Sequence, residues 1–206
     1  MPVHLVHHPL VHDALVTLRD ASTPSAAFRR AARRVSLLVI TEATRDVPTV
    51  EATVRTPLEP AQGRRVAADV VFVPVLRAGL GMLDAALDLV PEARVGHLGL
   101  QRDEATAVAS RYYARLPPNL SDSYVVLVDP MLATGGSAVA SLDLVTAAGA
   151  RHVRLACLVA APEGIAAVER VHPDTRIYTP AIDRQLNDRK FILPGLGDFG
   201  DRLYGT

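Results

Sequence analysis

Val125-Val126-Leu127-Val128-Asp129-Pro130-Met131-Leu132-Ala133-Thr134-Gly135-Gly136-Ser137 changes character twice, at Asp129 and at Gly135. Its opening residues are uninterruptedly apolar, as in a strand buried on both faces, and an apolar helical pattern runs from Ser137 to Ala148. At such a junction the N–H groups from Ala133 to Ser137 have no partner in the helix they open. Two glycines let the backbone close round a tetrahedral anion there. The hydroxyls of Thr134 and Ser137 add donors. Asp129, at the strand end, is placed to accept hydrogen bonds from a sugar while the loop holds a phosphate beyond it. A plain Gly-rich turn joining strand to helix remains the alternative at this point. No lysine follows the glycines, which argues against a Walker A ATPase.

The same alternation extends to either side. Val70-Val71-Phe72-Val73-Pro74-Val75 is a β-branched run that ends at Arg77-Ala78-Gly79 and gives way to a helical pattern through Leu83, Ala86, Leu87 and Val90. Val95 to Leu100 and Val153 to Val159 read as strands, Gly164 to Val171 as a helix, and Ile177-Tyr178-Thr179 as a short strand. Buried strands separated by helices predict an α/β fold, a mostly parallel sheet flanked by helices, with its ligand beyond the carboxyl ends of the strands. The 206 residues are expected to form one domain, 1–206. Upstream, Ser25 to Thr44 has helical periodicity, with Arg29, Arg30, Arg33 and Arg34 on its solvated side. Val50, Ala52 and Val54 alternate as a half-buried strand should, and Pro57, Pro60 and Gly63 mark a turn, so a two-stranded arm is expected. Arg102 to Asp122 is polar, carries Pro117 and Pro118, and reads as a long mobile loop.

Composition removes several function classes. Lys plus Arg is 22 and Asp plus Glu is 22, so no net field draws in nucleic acid. The longest apolar stretch, Val70 to Val90, is broken by Arg77, Asp84 and Asp88, and no basic-then-apolar leader opens the chain; no membrane span and a cytoplasmic location are expected. Cys157 sits alone in an apolar run, where a free thiol packs as a small hydrophobe. His4, His7, His8 and His12 lack a completing carboxylate or cysteine, and Pro9 interrupts the helix that would align them, so solvated or capping roles are expected and no protein-held metal.

The Asp129 to Ser137 segment resembles the phosphoribosyl pyrophosphate (PRPP) signature of type I phosphoribosyltransferases. Most members have a second acid where Pro130 stands, and the form with Pro is similar to that of uracil phosphoribosyltransferases. Pro74-Val75-Leu76-Arg77-Ala78-Gly79-Leu80-Gly81-Met82 resembles the family's pyrophosphate loop, and a guanidinium at a strand end is a natural diphosphate clamp, its planar fork reaching two oxygens. Gly96 to Glu104, with Arg102, resembles a further PRPP-contacting segment, and Tyr112 to Pro117 the hood that follows. Phe191-Ile192-Leu193-Pro194-Gly195-Leu196-Gly197-Asp198-Phe199-Gly200-Asp201-Arg202 resembles the family's uracil site, where main-chain N–H and C=O groups can pair with the edge of a flat base.

The resemblance implies a glycosyltransferase joining uracil to PRPP to give UMP and pyrophosphate. It assigns catalysis to Arg77, Arg102 and Asp129. PRPP is assigned to these with Pro130, Met131, Leu132, Ala133, Thr134, Gly135, Gly136, Ser137 and Asp198, and uracil to Ile192, Gly197, Asp198 and Phe199. It implies Mg²⁺ carried by PRPP, a homodimer or larger even assembly, and activation by GTP as in some members. No side chain is singled out as the base for the uracil N1 proton. Departures are Gln101 and Phe191 for Tyr, and Phe199 for a small residue, which adds a ring near the base; that ring either faces the base or, as main-chain recognition favours, turns outward and leaves only the main chain to meet it. Two alternatives stay open: a phosphoribosyltransferase for another nucleobase, and an RNA-binding regulator on the same fold.

Overall fold

From Val70 to Val75 every residue is buried, because a β-branched run without polar alternation has no face to give to water. The computed structural model describes residues 3–102 and 109–206. Its first half runs β1 (Val3–Leu5), α1 (Pro9–Arg19), α2 (Ser25–Ala43), β2 (Thr49–Arg55), β3 (Pro60–Val66), β4 (Val70–Leu76), α3 (Leu80–Leu89), β5 (Arg94–Val95), β6 (His97–Arg102) and β7 (Ala109–Arg115). The second half runs β8 (Tyr124–Val128), β9 (Met131–Leu132), α4 (Gly136–Ala147), β10 (His152–Ala156), β11 (Val159–Ala160), α5 (Pro162–Val171), β12 (Arg176–Thr179), β13 (Gln185–Leu186), β14 (Ile192–Leu193) and α6 (Phe199–Tyr204).

The main sheet has the order β1-β12-β10-β8-β4-β6-β7, with β5 also beside β4, and only β6–β7 is antiparallel. Alternate residues of its central strands feed two cores. Phe72, Val126 and Val128 face α1, α2, α3 and α6, while Val71, Val73, Val125 and Leu127 face α4 and α5. The carboxyl ends of the adjacent strands β4 and β8 therefore open side by side at one rim, Pro74 opposite Val128.

Two expectations need correction, and one strand is unexpected. The polar stretch after Arg102 is not a loop throughout, since Ala109 to Arg115 pairs with β6 as a strand. Its alternation was hidden because that hairpin lies at the sheet edge, with polar residues on both faces. Gly99 on β6 lies beneath Tyr112, where a Cβ would stand 2.5 Å from the ring, so the tyrosine crosses its partner strand at closest approach. The arm formed by β2 and β3 is not half-buried: Val50 and Val54 are 53% and 40% exposed. Val3–Leu5, too short to read by pattern, adds an edge strand beside β12.

His8 caps α1, its Nδ1 accepting from the Leu10 N–H at 3.1 Å, and Pro9 takes the first helical position. At the opposite rim of the sheet Asp46, between α2 and the arm, accepts from the Tyr124 hydroxyl at 2.6 Å, Arg154 at 2.9 Å and Arg176 at 2.6 Å. Desolvation would raise its pKa, but these donors outweigh it and bring it down to about 2. An open cleft of ≈ 570 Å³ lies at that rim too, yet two of its arginines, Arg154 and Arg176, are already engaged by Asp46, and it is remote from the strand ends where α/β ligands bind. Among the described residues no helix is long and apolar enough to cross a membrane.

Candidate active site

Asp129 leaves β8 where its N–H donates to Ala156 O at 3.1 Å, so the strand end is fixed to its neighbour before the loop begins. Burial pushes its carboxyl up to about 7, against the opposing pull of the Met131 N–H, which donates to it at 3.4 Å. The residue is half-buried, open enough on one side to meet a ligand. Cys157 lies fully buried beside it, and burial pushes the thiol up to about 12, an unreactive group that packs as a small apolar side chain.

Beyond Asp129 the loop is braced by parallel pairing of Met131 with Val159 and Leu132 with Ala160. Pro130 O accepts from both Leu158 N–H and Val159 N–H. Gly135 then takes φ +81°, and a Cβ there would stand 2.7 Å from Ala167 Cβ and 2.8 Å from Gly164 O. Only glycine satisfies both demands. Gly164, at the start of α5, is equally constrained, with Ala133 O 2.5 Å and Leu132 O 2.7 Å from the place of its missing Cβ. The N–H groups of Thr134, Gly135 and Ser137 have no acceptor within the described residues, and Gly136 N–H has only the Thr134 hydroxyl, at 3.4 Å. Four donors at a helix start make an anion cradle.

Next to it, β4 gives way to Arg77. Gly79 N–H donates to Val75 O at 2.8 Å, and a Cβ on Gly79 would lie 2.6 Å from Val128 O, so this glycine serves close approach of the two strand-end loops rather than free torsion. Gly81 has the same kind of role against α6, whose Phe199 and Leu203 occupy the space its Cβ would need. The Arg77 guanidinium is 63% exposed, 3.6 Å from Asp201, and its carbonyl accepts from the Tyr204 hydroxyl at 3.4 Å. Arg102 closes β6; its side chain lies outside the described residues, as do residues 103–108.

The base segment turns on Gly195 and Gly197, at φ +61° and +80°. A Cβ on Gly195 would stand 2.2 Å from Ile192 O. Asp198 caps α6, accepting from Asp201 N–H at 2.9 Å, and so spends one oxygen on the helix. The Phe199 ring points into the core, 1% exposed and 5.2 Å from the Phe28 ring centroid. Only its main chain is left to face a base, as the favoured reading has it, but the ring turns inward beneath α6 and not outward.

The three blocks are physically joined. Asp183 N–H donates to Ala160 O at 2.8 Å, tying the base segment to the strand that braces the phosphate loop. Arg19 and Asp183 hold Gly195 from the other side, and Arg202 reaches Leu196 O at 2.7 Å with its guanidinium 4.5 Å above the Phe28 ring. Sequence reasoning singled out neither Arg19 nor Asp183, since nothing local distinguishes them.

The family model described as uracil phosphoribosyltransferase matches residues 5–206. Curated relatives of that name from Symbiobacterium thermophilum and Dictyoglomus turgidum are each 48% identical to the chain over 205 residues, covering 99% of it and 98% and 99% of themselves. A solved structure from Aquifex aeolicus has a TM-score of 0.94 at 37% identity, covering 99% of this chain and 98% of that one. The adenine phosphoribosyltransferase of Trypanosoma brucei, at 16% identity and a TM-score of 0.53 over 80% of this chain and 68% of its own, shares the fold alone.

Proposed function

The chain belongs to the uracil phosphoribosyltransferase family, and from that premise we propose that its site transfers the phosphoribosyl group of PRPP to N1 of uracil, giving UMP and pyrophosphate. One observation carries the reading: the anion cradle at Thr134–Ser137, the Asp129 carboxyl, the Arg77 loop and the Gly195–Gly197 turn converge at one rim of the sheet.

In this reading the N–H groups of Ala133 to Ser137, with the Thr134 and Ser137 hydroxyls, hold the 5′-phosphate. Pro130, Met131 and Leu132 hold the loop in shape, and Asp129 accepts hydrogen bonds from the ribose hydroxyls. As N1 bonds to C1′ and the C1′–oxygen bond breaks, positive charge grows on the ribose and negative charge on the departing diphosphate. Arg77 and Arg102 meet the latter, where preorganised cations act most strongly. Among the described residues the donor set at the rim is one half-buried carboxylate, Asp129, with Asp198 and Asp201 at the surface of α6, a set that suits Mg²⁺ arriving on PRPP. Bound so, the ion offsets leaving-group charge. Ile192, Gly197, Asp198 and the main chain of Phe199 take the base. Cytosine reverses part of the uracil edge and would leave buried main-chain groups unpaired.

The test is turnover with PRPP and Mg²⁺ across uracil, cytosine, adenine, guanine and hypoxanthine. Uracil alone should react, and turnover of a purine instead would sink the reading. The proposal also covers one domain working in the cytoplasm, activation by GTP, and a homodimer or larger even assembly. Support for the last is the arm: two strands alone are too few to be stable in water, and Val50, Val54, Leu58 and Val66 stand exposed on it. Light scattering at micromolar protein that gave a monomer would contradict it.

A further inference from the structure

We infer that Arg19 and Asp183 are positioning residues that set where uracil sits relative to PRPP. The inference rests on the proposed reaction and concerns how the two halves of the site keep their spacing.

Asp183 is almost wholly buried, with its side chain 6% exposed, and it forms a forked pair with Arg19 at 2.6 and 2.8 Å. The same pair grips both polar groups of one residue in the base turn. Gly195 N–H donates to Asp183 Oδ2 at 2.8 Å, and Arg19 donates to Gly195 O at 2.8 Å. Only glycine fits in this grip, because Ile192 O stands 2.2 Å from where a Cβ would be. One end of the clamp is anchored on α1, whose last residue is Arg19. The other end is anchored on the phosphate side: the Asp183 main chain donates to Ala160 O, and Ala160 pairs with Leu132 in the PRPP loop. A short bonded path, Leu132 to Ala160 to Asp183 to Gly195, therefore runs from one substrate's loop to the other's. Two and three residues after Gly195 the chain reaches Gly197 and Asp198, groups assigned to the base.

Attack by N1 needs the reacting atoms held about 3–3.5 Å apart and aligned, and small misplacements are costly. A clamp that joins the loops sets that distance without touching substrate. A guanidinium can fork to the carboxylate and still reach the carbonyl, whereas an ammonium cannot do all three with the same geometry.

The experiment compares wild type with Arg19→Lys, Arg19→Ala and Asp183→Asn, using full-length protein. It reads kcat and KM for uracil at saturating PRPP and Mg²⁺, and Kd for PRPP with Mg²⁺ without uracil. Arg19→Ala should raise the uracil KM and lower kcat by about tenfold each, with Arg19→Lys between it and wild type and PRPP Kd within about twofold. A purely structural role would lower the active fraction, and so kcat, without moving KM. A uracil KM within about twofold of wild type, or PRPP affinity falling as far as uracil's, overturns the inference. If Arg19→Ala does not fold, Arg19→Lys and Asp183→Asn decide by the same criterion. Wild type that fails to use uracil sinks the proposed function instead, so the two failures are told apart.

Discussion

The proposed phosphate loop and the proposed base turn both rely on main-chain groups, but they are held in opposite ways. From Asp129 to Ser137 the loop is shaped by its immediate strand and helix, by pairing with β11, and by Gly135 in the loop and Gly164 on α5, whose Cβ positions are filled by backbone or a methyl group. From Gly195 to Asp198 the turn is shaped by side chains far away in sequence: Arg19 lies 176 residues from Gly195 and Leu18 O, another Arg202 acceptor, lies 184 from it. A loop specified locally should fail when its own residues change. A turn specified at long range should fail when distant residues change.

The largest effect should come from Gly135→Val. At φ +81°, with Gly164 O and Ala167 Cβ in the way, a branched side chain displaces the loop whichever rotamer it takes. Turnover should fall by about a thousandfold, roughly 4 kcal/mol of transition-state stabilisation, while circular dichroism stays that of the folded sheet. Activity within tenfold of wild type would break the claim that this loop has one permitted shape.

The contrast explains what could be read from sequence. Val125 to Ser137 carries strand, acid, glycines and helix start in thirteen contiguous residues, so pattern and chemistry coincide, and the parallel sheet follows from Val70 to Val75 repeating the first half of that pattern. Arg19 looks like any basic residue in a helix's last turn, and Asp183 like any loop acid, since their roles arise only where chain segments meet in space. For Phe199 adjacency to Gly197 and Asp198 leaves two ring orientations open, and the favoured one, with only the main chain towards the base, agrees with the structure, although the α6 turn takes the ring inward under the helix, against Phe28 and Gly81, rather than outward. The β7 strand escaped because an edge strand with wet faces has no apolar alternation to show.

That position makes Phe199→Ala the next largest effect, and one that separates floor from pocket. Removing a ring 1% exposed should cost about 3–5 kcal/mol of stability, read by chemical denaturation. Relative kcat/KM for 5-fluorouracil and 5-bromouracil against uracil should stay within about twofold, because the main-chain edge is unchanged. A tenfold shift in that ratio would mean that the ring reaches the base.

Arg77 sits between the two regions, on the β4 loop yet against Asp201 and Tyr204 of α6. With the side chain 63% exposed and its ion pair at 3.6 Å, Arg77→Ala should leave the melting temperature nearly unchanged. It should lower kcat by about a hundredfold, or 2.7 kcal/mol, and leave the uracil KM unmoved. A rise in uracil KM as large as the loss in kcat would place Arg77 with the base turn instead of the phosphate loop.

The smallest effect concerns the electrostatic cost that the phosphate loop carries on its own. Because burial raises the Asp129 pKa to about 7 from an ordinary 3.8, both states are neutral below pH 4 and the residue costs nothing there. Between pH 4 and pH 7 the unfolded chain ionises at Asp129 while the folded one keeps its proton, so its contribution to stability falls as pH rises and levels off above about 7. Asparagine has no charge to bury, and its carbonyl can still accept from Met131 N–H. The unfolding free energy of Asp129→Asn minus that of wild type should therefore grow from pH 5 to pH 8, by about 1–2 kcal/mol once partial access to water is allowed for. Saturating PRPP with Mg²⁺ should narrow the gap at pH 8, since ribose hydroxyls donating to the carboxylate favour its ionised form. A difference that is flat with pH would show that the carboxyl is solvated in the folded protein, and the local loop would then carry no such cost.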